Sequence, residues 1–235
     1  MENKKTVLIT GSSKGLGKEL ALIFAKNDFN LIIHGRNQND LKQVKKQILK
    51  NDVSCNLVVG DLKDLETIDD LYKLAIKKNI SILINNAALA TNFLFEELTD
   101  EEIDYVNSIN LIAPLKLARR IYSFFIKKKE GFIININSVS GVNAQPERGV
   151  LYSATKFALR GFTNALRQEI KKSNNNIKVL GVYLAGMKTT FVKRTEVQID
   201  FQNCMEPQEV AEIIFDLTKN YKSVNIEDIV LGKLK

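Results

Sequence analysis

The 235-residue chain is 45% apolar and 26% charged, which excludes a disordered or fibrous protein and leaves enough length to bury a substantial core. Its first apolar run stops at Gly11, too soon for a signal peptide, and no stretch approaches the about 20 apolar residues that span a bilayer. The net charge of +7 is scattered in short clusters at predicted helix ends (Lys45-Lys46, Lys77-Lys78, Lys127 to Lys129, Lys171-Lys172), so a cytoplasmic protein with neither a membrane nor a nucleic-acid partner is expected.

In chain order, residues 6–10 (TVLIT) form a β-branched run that ends in a glycine-rich turn. Residues 16–27 place Leu16, Leu20, Ile23 and Phe24 at helical spacing. A second strand is predicted at 30–35, a helix at 41–50, a third strand at 55–60, a helix at about 65–78 and a fourth strand at 80–86. The helical stretch of about 100–128 contains Pro114, which marks a kink or a junction between segments. A fifth strand at 131–138 precedes a helix that carries Tyr152 and Lys156 to about Lys172; a sixth strand follows at 177–184. Pro207 opens a helix to about Lys219, and 227–232 is the last strand. Near-continuous apolar strands alternating with helices predict a Rossmann-type, doubly wound α/β fold: a mostly parallel seven-stranded sheet with helices on both faces. With no linker, repeat or composition break, one domain over residues 1–235 is expected.

Two isolated cysteines, Cys55 and Cys204, and one histidine, His34, cannot supply the about four clustered ligands of a zinc site, and they suit a reducing compartment. His34 reads as a strand-end residue. In TGSSKGLG (10–17), Gly11, Gly15 and Gly17 follow the first strand and open the first helix. Such a turn lets the backbone approach a pyrophosphate at a helix N-terminus. Its G-x-x-x-G-x-G spacing is not the commoner G-x-G-x-x-G. Tyr152 and Lys156 stand one helical turn apart in YSATK, on one helix face.

With GDL (60–62), NNAA (85–88), Asn110 in SINLIAP, INSVSG (136–141) and VYLAGMKT (182–189), these motifs resemble the short-chain dehydrogenase/reductase family over nearly the whole chain. The resemblance implies hydride transfer between NADP(H) and a carbonyl or alcohol substrate. Tyr152 is the implied general acid/base, with its phenol lowered from a free pKa near 10 by Lys156 and by the cationic ring of the oxidised cofactor. Ser138 would polarise the substrate oxygen, with Ser140 as a rival, and Asn110 would hold a water that links Lys156 to solvent. The implied cofactor set is Gly11, Ser13, Lys14, Gly15, Leu16, Arg36, Asn37, Asp61, Leu62, Asn86, Ala87, Tyr152, Lys156, Met187 and Thr189. Within it, Asp61 would take the adenine amino group, Asn86 and the backbone at Ala87 the adenosine ribose, and Thr189 the nicotinamide carboxamide.

Charge favours NADP over NAD. In HGRN, the place where an acidic residue would meet a ribose 2′-OH holds Gly35 and then Arg36, with Lys14 as a second cation. The family pattern also departs at two places. Ala88 replaces a glycine and needs a negative φ; Leu184-Ala185 replaces Pro-Gly, which predicts a looser turn before Thr189. A short segment at about 190–206 would cover the substrate, with Phe191, Phe201, Phe93, Phe95 and Arg148 as candidate walls, and a homodimer or homotetramer is implied. A non-catalytic dinucleotide sensor or scaffold on the same fold is the alternative, which an intact Ser138, Tyr152 and Lys156 disfavour. A sugar-nucleotide epimerase or dehydratase would carry a further substrate domain, for which too few residues follow Thr189.

Overall fold

Each apolar run becomes a strand in the computed structural model: β1 (Thr6–Ile9), β2 (Asn30–Gly35), β3 (Cys55–Val59), β4 (Ile82–Asn85), β5 (Glu130–Ser138), β6 (Asn176–Leu184) and β7 (Asp228–Leu231). The helices between them are α1 (Gly15–Lys26), α2 (Gln38–Ile48), α3 (Leu65–Lys77), α4 (Asp100–Asn107), α5 (Ala113–Lys128), α6 (Val150–Lys171) and α7 (Pro207–Asp216). The structure describes residues 4–91, 93–144, 149–173, 175–189, 202, 204–219 and 224–234.

The strands form one sheet in the order β3-β2-β1-β4-β5-β6-β7, and every pairing is parallel. The doubly wound α/β fold is therefore as the sequence predicts. Because side chains alternate across a strand, each strand feeds two cores. Val7 and Ile9 pack with α1, α2 and α7 on one face, and Leu8 packs with α3, α5 and α6 on the other. Phe24 anchors the first face in edge-to-face contact with Phe29 and Phe215, ring centroids 5.0 and 5.1 Å away. Phe125 is fully buried in the second.

Two helix boundaries carry information. α2 begins three residues before its first predicted apolar position, because Asn37 Oδ1 accepts from the N–H groups of Asn39 and Asp40 at 2.8 and 3.1 Å. A polar first turn is invisible to hydrophobic spacing. The long predicted helix is a junction: α4 passes through a π turn at Ser108–Ile112 into α5, whose first turn holds Pro114. The proline has no N–H to give to the preceding turn, and the wider π turn falls just before it. Among the described residues no helix is long and apolar enough to cross a membrane.

The order places β1 beside β4, so the chain leaves these neighbours in different directions at their C-terminal ends. A crevice opens there.

Candidate active site

The glycine loop is shaped by close backbone approach. Gly11 and Gly15 have φ of +66° and +54°, in the left-handed region. A Cβ on Gly11 would lie 2.8 Å from the Ala87 Cα, and one on Gly17 would lie 2.3 Å from the Gly11 carbonyl oxygen. The loop is held from two sides. Thr10 Oγ1 accepts from the N–H groups of Asn86 and Ala87, both at 3.1 Å, and Asn86 Nδ2 donates to the carbonyls of Thr10 (2.9 Å) and Gly11 (3.1 Å). Asn86 thus acts first as a clasp on the loop. From the other side, His34 Nδ1 accepts from Gly11 N–H at 3.3 Å, so its proton belongs on Nε2, which meets the Gly60 carbonyl at 3.2 Å. His34 is buried at the end of β2, and burial pushes its pKa down to about 4. It is a neutral brace, and among the described residues no group of three or more His, Cys, Asp or Glu could hold a metal.

Beyond the loop, Lys14 and Arg36 are exposed. Arg36 Nη1 donates to the Tyr105 hydroxyl at 2.8 Å, and that hydroxyl donates to Asp61 Oδ2, also at 2.8 Å. Asp61 Oδ1 accepts from Lys63 N–H at 3.0 Å, and Leu62 is buried behind it. Gly35 lets the Ser13 side chain come within 3.2 Å of where a Cβ would stand. Asn37 is spent on the cap of α2 and does not line the crevice.

At the opposite end, β5 delivers Ser138 and α6 delivers Tyr152 and Lys156. The Ser138 hydroxyl bonds to the Tyr152 hydroxyl, donates to Ser140 Oγ at 3.2 Å and is met by Ser140 N–H at 3.1 Å. Of the two serines, Ser138 is the one bonded to the phenol. The turn between β5 and α6 sits tightly on the helix: a Cβ on Gly141 would lie 2.7 Å from the Lys156 carbonyl oxygen, and Asn137 Nδ2 donates to that carbonyl at 3.1 Å.

Lys156 is buried, donates from Nζ to the Ile136 carbonyl at 3.1 Å and lies 5.6 Å from the Tyr152 ring centroid. Burial pushes Lys156 down to about 8 and Tyr152 up to about 12. Burial thus dominates both groups, and it opposes the lowering of the phenol that the resemblance implies.

Asn110 sits in the π turn with its side chain fully engaged. Its Nδ2 donates to the Leu89 carbonyl (2.9 Å) and to Thr155 Oγ1 (3.2 Å), and its Oδ1 accepts from Leu89 N–H (2.7 Å). It ties the loop after β4 to α6 one residue from Lys156, and it is not on the crevice wall. Both of its amide protons are engaged, so a water held here would meet its oxygen atoms.

The two departures from the pattern leave the backbone unstrained and pinned. Ala88 is not among the residues of positive φ, so its methyl adds no backbone strain. The turn after β6 is pinned where looseness is expected: Ala185 N–H donates to Leu231 O and Met205 N–H to Gly186 O, both at 2.9 Å, while Lys188 N–H meets Met205 O at 2.9 Å. Met187 and Thr189 lie on this turn and line the crevice. Phe93 and Phe95 are exposed and absent from its wall, whereas Phe191, Phe201, Arg148 and most of segment 190–206 lie outside the described residues.

The crevice has a volume of about 480 Å³, within the usual range for a small-molecule site. Of the catalytic and cofactor-binding residues expected from sequence, all described, Asn37 and Asn110 alone fall off its wall. Its polar ends fit a dinucleotide: a glycine cradle at the N-terminus of α1, whose first turn has no acidic residue, and two cations beside Gly35. Tyr105, Thr155 and the bracing role of His34 escape sequence reading, because each acts through a partner at least 21 positions away, or through a helix turn with no motif.

Residues 5–200 match the family described as short chain dehydrogenase. An uncharacterized oxidoreductase of Listeria monocytogenes is 28% identical over 238 residues, covering 97% of this chain and 96% of that one. A short-chain dehydrogenase from Sphingobium yanoikuyae in complex with NADPH superposes with a TM-score of 0.86 at 26% identity, covering 96% of this chain and 87% of its own. An alcohol dehydrogenase from the archaeon Thermococcus sibiricus, complexed with 5-hydroxy-NADP, gives a TM-score of 0.88 at 20% identity over 98% and 97% of the two chains, a likeness of fold.

Proposed function

This chain belongs to the short-chain dehydrogenase/reductase family of oxidoreductases, and we propose that it is a single-domain, cytoplasmic NADP(H)-dependent reductase or dehydrogenase of a carbonyl/alcohol pair. The observation that carries the reading is the Ser138–Tyr152–Lys156 cluster at one end of the crevice, with the glycine loop, Lys14 and Arg36 at the other.

When bound, the nicotinamide supplies or accepts hydride and, in its oxidised form, a positive charge. The chain's own groups do the rest. Ser13, Gly15 and Leu16 cradle phosphate with backbone N–H groups on the turn that Gly11 and Gly17 permit; Arg36 and Lys14 meet a 2′-phosphate. Asp61, Leu62, Ala87 and the clasped Asn86 frame the adenosine, while Met187 and Thr189 frame the nicotinamide. Tyr152 donates its proton to the carbonyl oxygen during reduction and takes it back during oxidation; Ser138, already bonded to that phenol, orients the same oxygen. A phenol held at about 12 keeps its proton at neutral pH and is scarcely ionised, so the oxidised cofactor's charge is needed for the oxidative direction. Asn110 positions Lys156 through Thr155.

The family's subunit pairing fits α6, where Ala154, Phe157, Ala158 and Gly161 are all exposed. A homodimer or homotetramer follows, and a monomer by light scattering at micromolar concentration would refute it. The function itself is tested by titrating the wild-type protein with NADPH and with NADH through nicotinamide fluorescence, against low background because the chain has no Trp. Tighter NADPH binding, followed by oxidation of NADPH by a member of a carbonyl panel, is the expected result. Binding of NADPH with no turnover on any carbonyl or alcohol would favour a sensor or scaffold.

A further inference from the structure

Arg36 and Asp61 line the same crevice, carry opposite charges and are separated by one hydroxyl group. A guanidinium and a carboxylate this close form a bidentate pair when nothing intervenes. Here the Tyr105 hydroxyl intervenes. It has a single proton, which it gives to Asp61 Oδ2, so its lone pairs face Arg36 Nη1. The donor side points to the anion and the acceptor side to the cation. The ring is held from α4 and by Lys63, whose Nζ lies 5.7 Å from the ring centroid and whose N–H occupies Asp61 Oδ1. Arg36 therefore spends one donor on a neutral oxygen and keeps its charge and its other donors for the crevice.

We propose that Tyr105 is a positioning residue that sets cofactor preference by holding Arg36 and Asp61 apart. This rests on the NADP(H) reading above and adds a residue to it. Without the hydroxyl, Arg36 closes onto Asp61, and the cation that meets a 2′-phosphate is neutralised. NADH has no such phosphate, so it feels only the change at Asp61 beside the adenosine, which NADPH shares.

The test is a double-mutant cycle on the full chain, reading the affinities for NADPH and NADH in the wild type, Tyr105→Phe, Asp61→Asn and the double variant. Tyr105→Phe is expected to weaken NADPH about tenfold and NADH less than about twofold, with turnover at saturating NADPH unchanged. In the Asp61→Asn background, Tyr105→Phe should change NADPH affinity less than about twofold, since no carboxylate is left to capture Arg36. Equal losses for both nucleotides, or a tenfold loss that persists without Asp61, would overturn the proposal. A wild-type NADPH preference that survives Tyr105→Phe undiminished overturns it while sparing the cofactor reading; a wild type that does not prefer NADPH overturns both.

Discussion

At the end of the crevice beside β2 and β3, the charged side chains of Lys14, Arg36 and Asp61 keep contact with water and are arranged through one another. At the end formed by β5 and α6, Lys156 is sealed in, Ser138 is buried and Tyr152 keeps only partial exposure. The first end acts by presenting charge, with hydrogen bonds deciding where it points. The second acts by withholding solvent, and burial moves Tyr152 to about 12 and Lys156 to about 8. One fold can do both because the glycine loop and the turn after β6 separate the two ends by a backbone cradle. Recognition and proton transfer should then be separable by mutation.

The largest expected effect is at the buried end. Tyr152→Phe should lower kcat by about a thousandfold and leave NADPH affinity within about threefold, because a positioned acid contributes to the transition state and little to binding. Steady-state kinetics beside fluorescence titration checks this. A parallel fall in affinity would break the division between the two ends.

Lys156→Met separates catalysis from stability at the same end. The lysine's folded pKa of about 8 lies below its ordinary 10.5, so between these values the unfolded chain binds a proton that the folded chain does not. Wild-type stability from this group therefore rises with pH from 8 to 10.5, by up to about 3 kcal/mol, and is penalised below 8. Urea unfolding across that window should show the rise in the wild type and its absence in Lys156→Met, whose turnover is lost.

Arg36→Asp addresses the exposed end. NADPH affinity should fall about fiftyfold and NADH should become the tighter ligand, with kcat for the better cofactor within about threefold of the wild type. A matching drop in kcat would show that the ends are coupled.

The smallest effect is expected at the brace between them. His34 has a folded pKa of about 4 against an ordinary 6.5, so its share of stability is whole above 6.5 and is lost as pH falls toward 4. His34→Leu should flatten that part of the acid limb of the melting curve and loosen both nucleotides alike, since it frees Gly11 N–H from its acceptor.

Much of this molecule was legible along the chain because its signals are local. The β-branched runs specify strands, the three glycines mark a turn that only their missing Cβ atoms permit, and Tyr152 and Lys156 share a helix face by spacing alone. Other features arise only when distant segments meet. The strand order, the clasp of Asn86 on Thr10 and the brace of His34 between Gly11 and Gly60 span 23 to 76 positions. The bridge of Tyr105 from Arg36 to Asp61 is likewise a product of packing α4 beside β2 and β3. Burial, too, is a property of the assembled sheet and helices. No residue carries its own desolvation, so a tyrosine and a lysine that the sequence places on one helix face are, once enclosed, moved by burial up to about 12 and down to about 8.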